Sequence, residues 1–379
     1  MNILLVNKYY PPHIGGIESH VRDLAEGLVA AGHNVKVLVA NTGSRTEFDQ
    51  VAGVEVVRLG RAFEIASMPV AYGFTRFLNQ ACEEADIVHF HFPYPWAEYA
   101  WWAEPGGVPY VVTYHADIVR QKVGLALYRP IMRRFLNRAE ALIVSSPQMV
   151  ESSENLHSRR DRCRQVNFGL PLAHIAHNPG AVARAATLRA SLDGRFIVLF
   201  VGRLVYYKGI EVLVDSMPEV DAEFVCIGTG PLRESIVDRA GALGVAERLH
   251  LLDPVDDDEL AAWYHAADVL ALPSVEQSEA FGLVQIEAHA AGTPTVSSDL
   301  PTGVTYANLD GVTGLTVKTG SAPALAAGLN RLLDDPDLRT TLGAQAKARA
   351  LSEFTVEQMV AGTVAVYREA MQAWGRTDV

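Results

Sequence analysis

Pro273 to Ser298 reads PSVEQSEAFGLVQIEAHAAGTPTVSS, and it follows an apolar run, Asp268–Leu272 (DVLAL), with the look of a buried strand. A loop of small and acidic residues leaves that strand, and a helical pattern begins near Gly282. Two carboxylates stand with seven residues between them, Glu279 in the loop and Glu287 in the helix. Phe281, Gly282 and Leu283 fall at the helix N-terminus, where backbone N–H groups lack intrahelical partners and the dipole favours negative charge. A glycine at such a place lets a ligand approach the backbone. Acid, anion-binding turn and acid in that order suit a sugar joined to a diphosphate. The same two acids would also be ordinary as helix-start and surface residues.

The plan of strand, glycine loop and helix recurs outward from this stretch. Asn2–Val6 is a strand; Pro11 and Pro12 then prevent helix, and Gly15 and Gly16 open one that runs to about Ala31. Further strands fall at NVKVLVA (34–40), Val54–Arg58, Asp86–His91, Val111–Val112 and Leu142–Ser146. FIVLFV (196–201) restarts the pattern, which continues at Glu223–Ile227 and Leu249–Leu252. This alternation predicts an α/β fold with doubly wound parallel sheets. A chain of 379 residues is long for one core, so two domains are expected. Weak patterning between 167 and 194 places the hinge at 176–194, between a domain over 1–175 and another over 195–355.

Composition narrows the class. No run approaches 18 apolar residues, and the N-terminus MNILLVNKYYPP has too short an apolar stretch for a signal peptide. Cys82, Cys163 and Cys226 show neither disulfide nor metal spacing, which fits a reducing cytoplasm. Residues 1–180 carry 17 Lys and Arg against 17 Asp and Glu, so the net charge of −12 belongs to the rest of the chain. A nucleic-acid binder should show a basic domain, and this chain has none.

Several side chains sit where chemistry is done in such folds. The Gly15–Gly16 pair lacks the G-x-G-x-x-G spacing of a dinucleotide site but allows a phosphate or substrate to approach. His89 and His91 share one face of a strand; without nearby Cys or carboxylates of ligand spacing, no metal is expected there. The chain leaves its sheet at Thr113-Tyr114-His115, the end of a strand where ligands gather in open α/β sheets. His115 is equally readable as a satisfied interface histidine. Arg203 and Lys208, bracketed by Gly202 and Gly209 directly after a strand, suit a diphosphate clamp. The acidic run Asp256–Glu259 reads as a helix start. The segment Arg129–Arg138 is a basic amphipathic helix, either a solvated face or one that lies on an anionic membrane.

These strings resemble a known family. The E-x-seven-E pattern around AFGL, the following GTPTVS, GRLVYYKG (202–209), YYPPHIGGIE (9–18) and TYHAD (113–117) are similar to family 4 of the retaining GT-B glycosyltransferases, over nearly the whole chain. The resemblance implies two doubly wound Rossmann-like domains facing a cleft, the first on the acceptor side and rejoined by the C-terminal helix, about 356–379. It implies that Arg203 and Lys208 hold a pyrophosphate, Glu279 the donor sugar, Glu287 the ribose, and Phe281, Gly282 and Leu283 the phosphates. Gly15 and Gly16 would lie against donor phosphates and acceptor, backbone groups around Val255 against the nucleobase, and His115 near the anomeric centre. Asp117 and His13 are acceptor-side candidates. The expected reaction is retaining and needs neither metal nor cofactor. GDP-mannose is the favoured donor, UDP-glucose or UDP-N-acetylglucosamine the alternative, and a glycan or lipid-linked molecule the acceptor. The expected setting is the cytoplasm, at the inner face of the cell membrane. A GT-B sugar-nucleotide epimerase and a non-catalytic partner subunit are the rival readings.

Overall fold

Strand β1, Asn2–Val6, sends Leu4 and Val6 into one hydrophobic core and Ile3 and Leu5 into another. A strand covered on both faces reads as a continuous apolar run, which is the mark of a parallel sheet between layers of helices. The structure, a computed structural model, describes residues 1–13, 15–65, 68–117 and 122–375. Its chain divides into two units, Met1–Leu170 with Val356–Val379, and Pro171–Thr355.

The sheet of unit 1 continues with β2 (Asn34–Ala40), β3 (Glu47–Val51) and β4 (Val54–Leu59), while β5 (Arg61–Ile65) and β6 (Met68–Ala71) form a separate hairpin. It is completed by β7 (Ile87–Phe92), β8 (Tyr110–Tyr114), β9 (Ala141–Val144) and β10 (Cys163–Gln165). The order is β10-β9-β8-β7-β1-β2-β4-β3, with β3 antiparallel to β4. Unit 2 is built on β11 (Ile197–Val201), β12 (Glu223–Ile227), β13 (Leu249–Leu252), β14 (Val269–Leu272), β15 (Thr295–Ser298) and β16 (Gly314–Val317). These lie in the parallel order β13-β12-β11-β14-β15-β16. Each sheet thus reverses its winding once, between β1 and β7 and between β11 and β14.

Residues 176–194, expected to be a hinge, are mostly helical. Helix Pro179–Ser191 is capped by Asn178, whose Oδ1 accepts from the Ala181 amide at 3.0 Å, and packs on helix Asp257–Ala266 inside unit 2. Ion pairs from Arg184 to Glu259 (2.7 Å) and from Arg189 to Asp268 (2.9 Å) tie it down. Its buried residues are Ala181 and Ala185, so its inner face is small and leaves no strong apolar period to read. The units divide instead at Leu170–Pro171. Helix Val356–Ala373 belongs to unit 1, where the Tyr367 hydroxyl meets Nδ1 of His89 at 2.7 Å and Glu369 pairs with Arg164. The last four positions of that expected crossover, 376–379, lie outside the described residues.

One buried acid in this unit has a measurable consequence. Glu98, 2% exposed, accepts from the Tyr94 amide at 2.9 Å and from the Tyr128 hydroxyl. Burial pushes its carboxyl up to about 8, against an ordinary value near 4.5, with the Tyr94 hydrogen bond only partly opposing. The folded chain therefore binds this proton over a range where the unfolded chain has lost it. The stabilisation is complete below the unfolded value and is lost as pH rises through the folded one. This proton opposes the stability that the buried histidines, whose imidazoles burial lowers, gain as pH rises. In urea unfolding between pH 5 and 8, Glu98→Gln, which keeps the shape without the titration, should therefore gain more stability with rising pH than the wild type; identical pH profiles would remove Glu98 as a contributor.

Candidate active site

Ligands in open α/β sheets bind beyond the carboxyl ends of the strands where the winding reverses. In unit 2 that point lies between β11 and β14. β11 delivers the loop Gly202–Lys208 and β14 delivers Pro273–Glu279, so two loops far apart in sequence leave adjacent strands side by side. Lys208 Nζ lies 2.6 Å from Glu279 Oε2, which also accepts from Ser274 Oγ at 3.0 Å. The two side chains are only 14% and 9% exposed. Thr302 Oγ1 fixes the same loop by donating to the Glu279 carbonyl at 2.8 Å. Gly209 makes the approach possible. Its φ is +67°, and a Cβ there would stand 1.9 Å from the Pro273 carbonyl oxygen. Arg203 projects from the same loop, exposed, and enters no ion pair among the described residues. The pair of Lys208 with Glu279 spends one of the three ammonium N–H groups and holds the other two in place.

The second carboxylate is set differently. Helix Leu283–Ala291 starts after Gly282, whose φ of +70° and contact with the Leu272 side chain leave no room for a Cβ. Phe281 and Gly282 are buried and Leu283 is half-buried at the helix start. One turn on, Glu287 accepts from the Tyr264 hydroxyl at 2.5 Å. Burial raises its carboxyl above the ordinary value, and the Tyr264 hydrogen bond opposes that rise. Val255 is half-buried in the loop after β13. Asp256 next to it accepts from the Glu259 amide at 2.8 Å, so the acidic run there starts a helix.

In unit 1 the reversal lies between β1 and β7. The loop from β1 carries His13, exposed, with its ring 4.4 Å from that of Tyr9. Gly15 caps helix Gly16–Ala30, and the Glu18 carboxylate lies where a Gly15 Cβ would stand, at 2.2 Å; Gly16 faces open space. His115, directly after β8, is 8% exposed and shares a hydrogen bond of 3.1 Å between its Nε2 and Nδ1 of His91. His20, from the helix, stands 5.1 Å away, ring centre to ring centre. His89 is a structural residue, bonded on its two nitrogens to Tyr367 and Thr113 at 2.7 Å each. Burial lowers all four imidazoles, His20 to about 4 and His89 to about 3, with His91 and His115 also well below the usual range. The cluster is neutral at physiological pH.

Asp117 is engaged rather than free. Its Oδ1 accepts from the Tyr114 hydroxyl (2.5 Å), Ser153 Oγ (3.0 Å) and Asn155 Nδ2 (2.9 Å). The sequence did not point to His20, Glu18, Ser274 or Tyr264. Ser274 had a positional signal, since it leaves a strand end beside Glu279; His20 lies one helical turn beyond Gly16. Among the described residues, His20, His91 and His115 form a group spaced for a metal ion, their ligand nitrogens lying within 4.8 Å of one another. That grouping differs from the His89–His91 pair considered in sequence, because His89 is already occupied.

Residues 189–349 match the family described as glycosyl transferases group 1, and residues 15–169 match the glycosyl transferase 4-like domain. The D-rhamnosyltransferase WbpZ of Pseudomonas aeruginosa is 33% identical, over 92% of this chain and 90% of its own. The O-antigen chain mannosyltransferase C of Escherichia coli is 29% identical, over 98% of this chain and 100% of its own. The solved structure of sucrose-phosphate synthase from Thermosynechococcus elongatus superposes with a TM-score of 0.75 at 25% identity, covering 98% of this chain and 99% of that one.

The two glycines that frame these loops should respond differently to one methyl group. Gly209→Ala meets both a left-handed backbone and the Pro273 carbonyl, and should cost about 1–3 kcal/mol or more in urea unfolding. Gly16→Ala, with nothing within 4 Å, should stay within about 0.5 kcal/mol. Equal effects at both positions would contradict the packing described for Gly209.

Proposed function

We propose that this chain, which belongs to the GT4-type glycosyltransferases of GT-B fold, moves a hexosyl residue from a nucleotide sugar, GDP-mannose in first place, to a hydroxyl of a growing glycan or lipid-linked acceptor. The observation that carries this reading is the Lys208–Glu279 pair at the reversal of the unit 2 sheet, with Arg203 projecting beside it. Arg203, the remaining Lys208 N–H groups and the amides of Phe281–Leu283 would bind the diphosphate, and bind it more strongly as it leaves with increased charge. Glu279 would take sugar hydroxyls, and Glu287 those of the ribose. Val255 would meet the nucleobase through its backbone. His115 would offer a neutral hydrogen bond near the anomeric carbon, with Gly15, Gly16, His13 and Asp117 toward the acceptor.

In this mechanism the bond from the anomeric carbon to the phosphate oxygen breaks first. The acceptor oxygen bonds to the same face, and the departing diphosphate takes the hydroxyl proton. The configuration is retained, without a glycosyl–enzyme intermediate and without a metal. The choice of mannose rests on chemistry shared by the two relatives: D-rhamnose is 6-deoxymannose, so both names specify sugars of manno configuration. UDP-glucose and UDP-N-acetylglucosamine are the alternative donors. Synthesis of a cell-surface glycan would place the enzyme at the inner face of the membrane, against anionic lipid through the Arg129–Arg138 helix.

Thermal shift against GDP, UDP, ADP and dTDP and their sugar conjugates tests the donor. A nucleotide at a hundred times its dissociation constant should add about 2.7 kcal/mol of stability. Guanine nucleotides should give the largest shift, and Lys208→Ala should abolish it and lower turnover about a hundredfold or more. A larger shift with uridine nucleotides would transfer the reading to UDP-sugars. No shift with any nucleotide would sink it.

A further inference from the structure

The amino-terminal edge of the unit 1 sheet, opposite to His115, carries a face the reaction does not use. Helix Lys122–Arg138 buries Met132, Phe135 and Leu136 and exposes Arg129, Arg133, Arg134 and Arg138, the spacing expected of an amphipathic helix. Among the described residues, none of these arginines enters an ion pair. Beside them, helix Pro95–Ala103 exposes Tyr99 (43%) and Trp102 (44%), and the chain end adds Trp374 (47%). Trp96, Tyr99 and Trp102 lie in a row, with successive ring centres 5.8 Å apart. Between the two helices and Trp374 opens a cavity of about 320 Å³. Its buried side is Trp101, Tyr110 and Phe135, its rim is Arg134 and Arg138, and it has no carboxylate in its lining.

We infer that this face docks on an anionic phospholipid surface, with Arg134 and Arg138 on headgroup phosphates and the tryptophan-lined cavity receiving hydrocarbon. Charge complementarity argues for that occupant. In a chain of net charge −12, Arg134 and Arg138 line this cavity with no carboxylate in its lining, so this patch can attract an anionic surface that the chain's net charge would repel. The aromatic row argues for lipid over a hydrophilic polyanion. Tryptophan and tyrosine settle at the headgroup level, where one end of the ring system is apolar and the other wet. Among the described residues no helix is long and apolar enough to cross a membrane, so the contact is a surface one. The cavity opens at Tyr110, the first residue of β8, whereas His115 follows its last, roughly 16 Å away at ~3.3 Å per residue. It is therefore an anchor and not the seat of the reacting hydroxyl. The inference extends the membrane part of the proposed function and needs no particular donor.

Tag-free protein should sediment with sucrose-loaded vesicles containing about 30 mol% phosphatidylglycerol in phosphatidylcholine, at least tenfold more than with phosphatidylcholine alone, and less as salt is raised. Each arginine at such a surface is worth roughly fivefold, so Arg134→Glu with Arg138→Glu should weaken binding at least twentyfold. Trp102→Ser should weaken it with the salt dependence kept. Unchanged nucleotide thermal shifts in the variants would establish that they are folded and that their donor site is intact. Equal binding to both vesicles, binding to neither, or wild-type binding by the double variant would overturn the inference. So would capture of a labelled oligonucleotide by a protein that ignores vesicles. Vesicle binding by a protein that moves no sugar would instead sink the donor reading and leave the anchor standing.

Discussion

The approach of two loops at the middle of the unit 2 sheet is the constraint on which the rest of the site depends. Parallel strands all end on one edge, and the reversal between β11 and β14 sets two of those ends next to each other. Adjacency alone does not bring Lys208 to Glu279. The turn at Gly209 has to press against the Pro273 carbonyl, and any side chain there would hold the loops apart. Once they meet, a cation and an anion share a space with little water. Removing one partner would leave the other as an uncompensated charge, so each holds its neighbour's rotamer. A cation fixed before the ligand arrives stabilises a leaving group without reorganising, which is where such sites gain most.

Unit 1 solves a different electrostatic problem. Four imidazoles from one helix and two strands share an apolar space, and a charge on any of them would be desolvated and repelled by the others. The cluster therefore contributes neutral hydrogen-bonding groups, suited to hydroxyls, while the fixed cations belong to unit 2. The C-terminal helix takes part in this arrangement. Tyr367 occupies Nδ1 of His89, which stacks on His91, which in turn bonds His115. The orientation of the outermost imidazole is thus set by packing that starts in the last helix of the chain.

Which parts were legible in sequence follows from what each part is made of. The inner strands announced themselves because both faces are buried, and β1, β7, β11 and β12 read as apolar runs. β3 is exposed at Glu47, Phe48, Asp49 and Gln50, so it had no alternation to show, and the β5–β6 hairpin was equally silent. The helix at Pro179–Ser191 hid behind buried alanines. Arg203, Lys208, Glu279 and Glu287 were recognisable from local strings. The contact between Lys208 and Glu279 was not, because it depends on strand order across two intervening strands. The meeting of His20, His91 and His115 was hidden for the same reason, each residue coming from a different element.

A proposed diphosphate site that contains two glutamates requires an explanation, since carboxylates repel phosphates. The structure answers it once for each acid. Glu279 is matched by Lys208 at 2.6 Å, so that pair adds little net charge while keeping carboxylate oxygens available to hydroxyls. Glu287 enters no ion pair among the described residues. Burial raises its carboxyl and the Tyr264 hydroxyl shares its charge, which softens its field toward the helix start one turn away. In charge, Lys208 matches Glu279 and the projecting Arg203 matches the exposed Glu276, and the start of helix Leu283–Ala291 adds a dipole field favourable to anions. In the proposed site the acids would then take hydroxyls without driving the phosphates away, which is the combination that binding a nucleotide sugar demands.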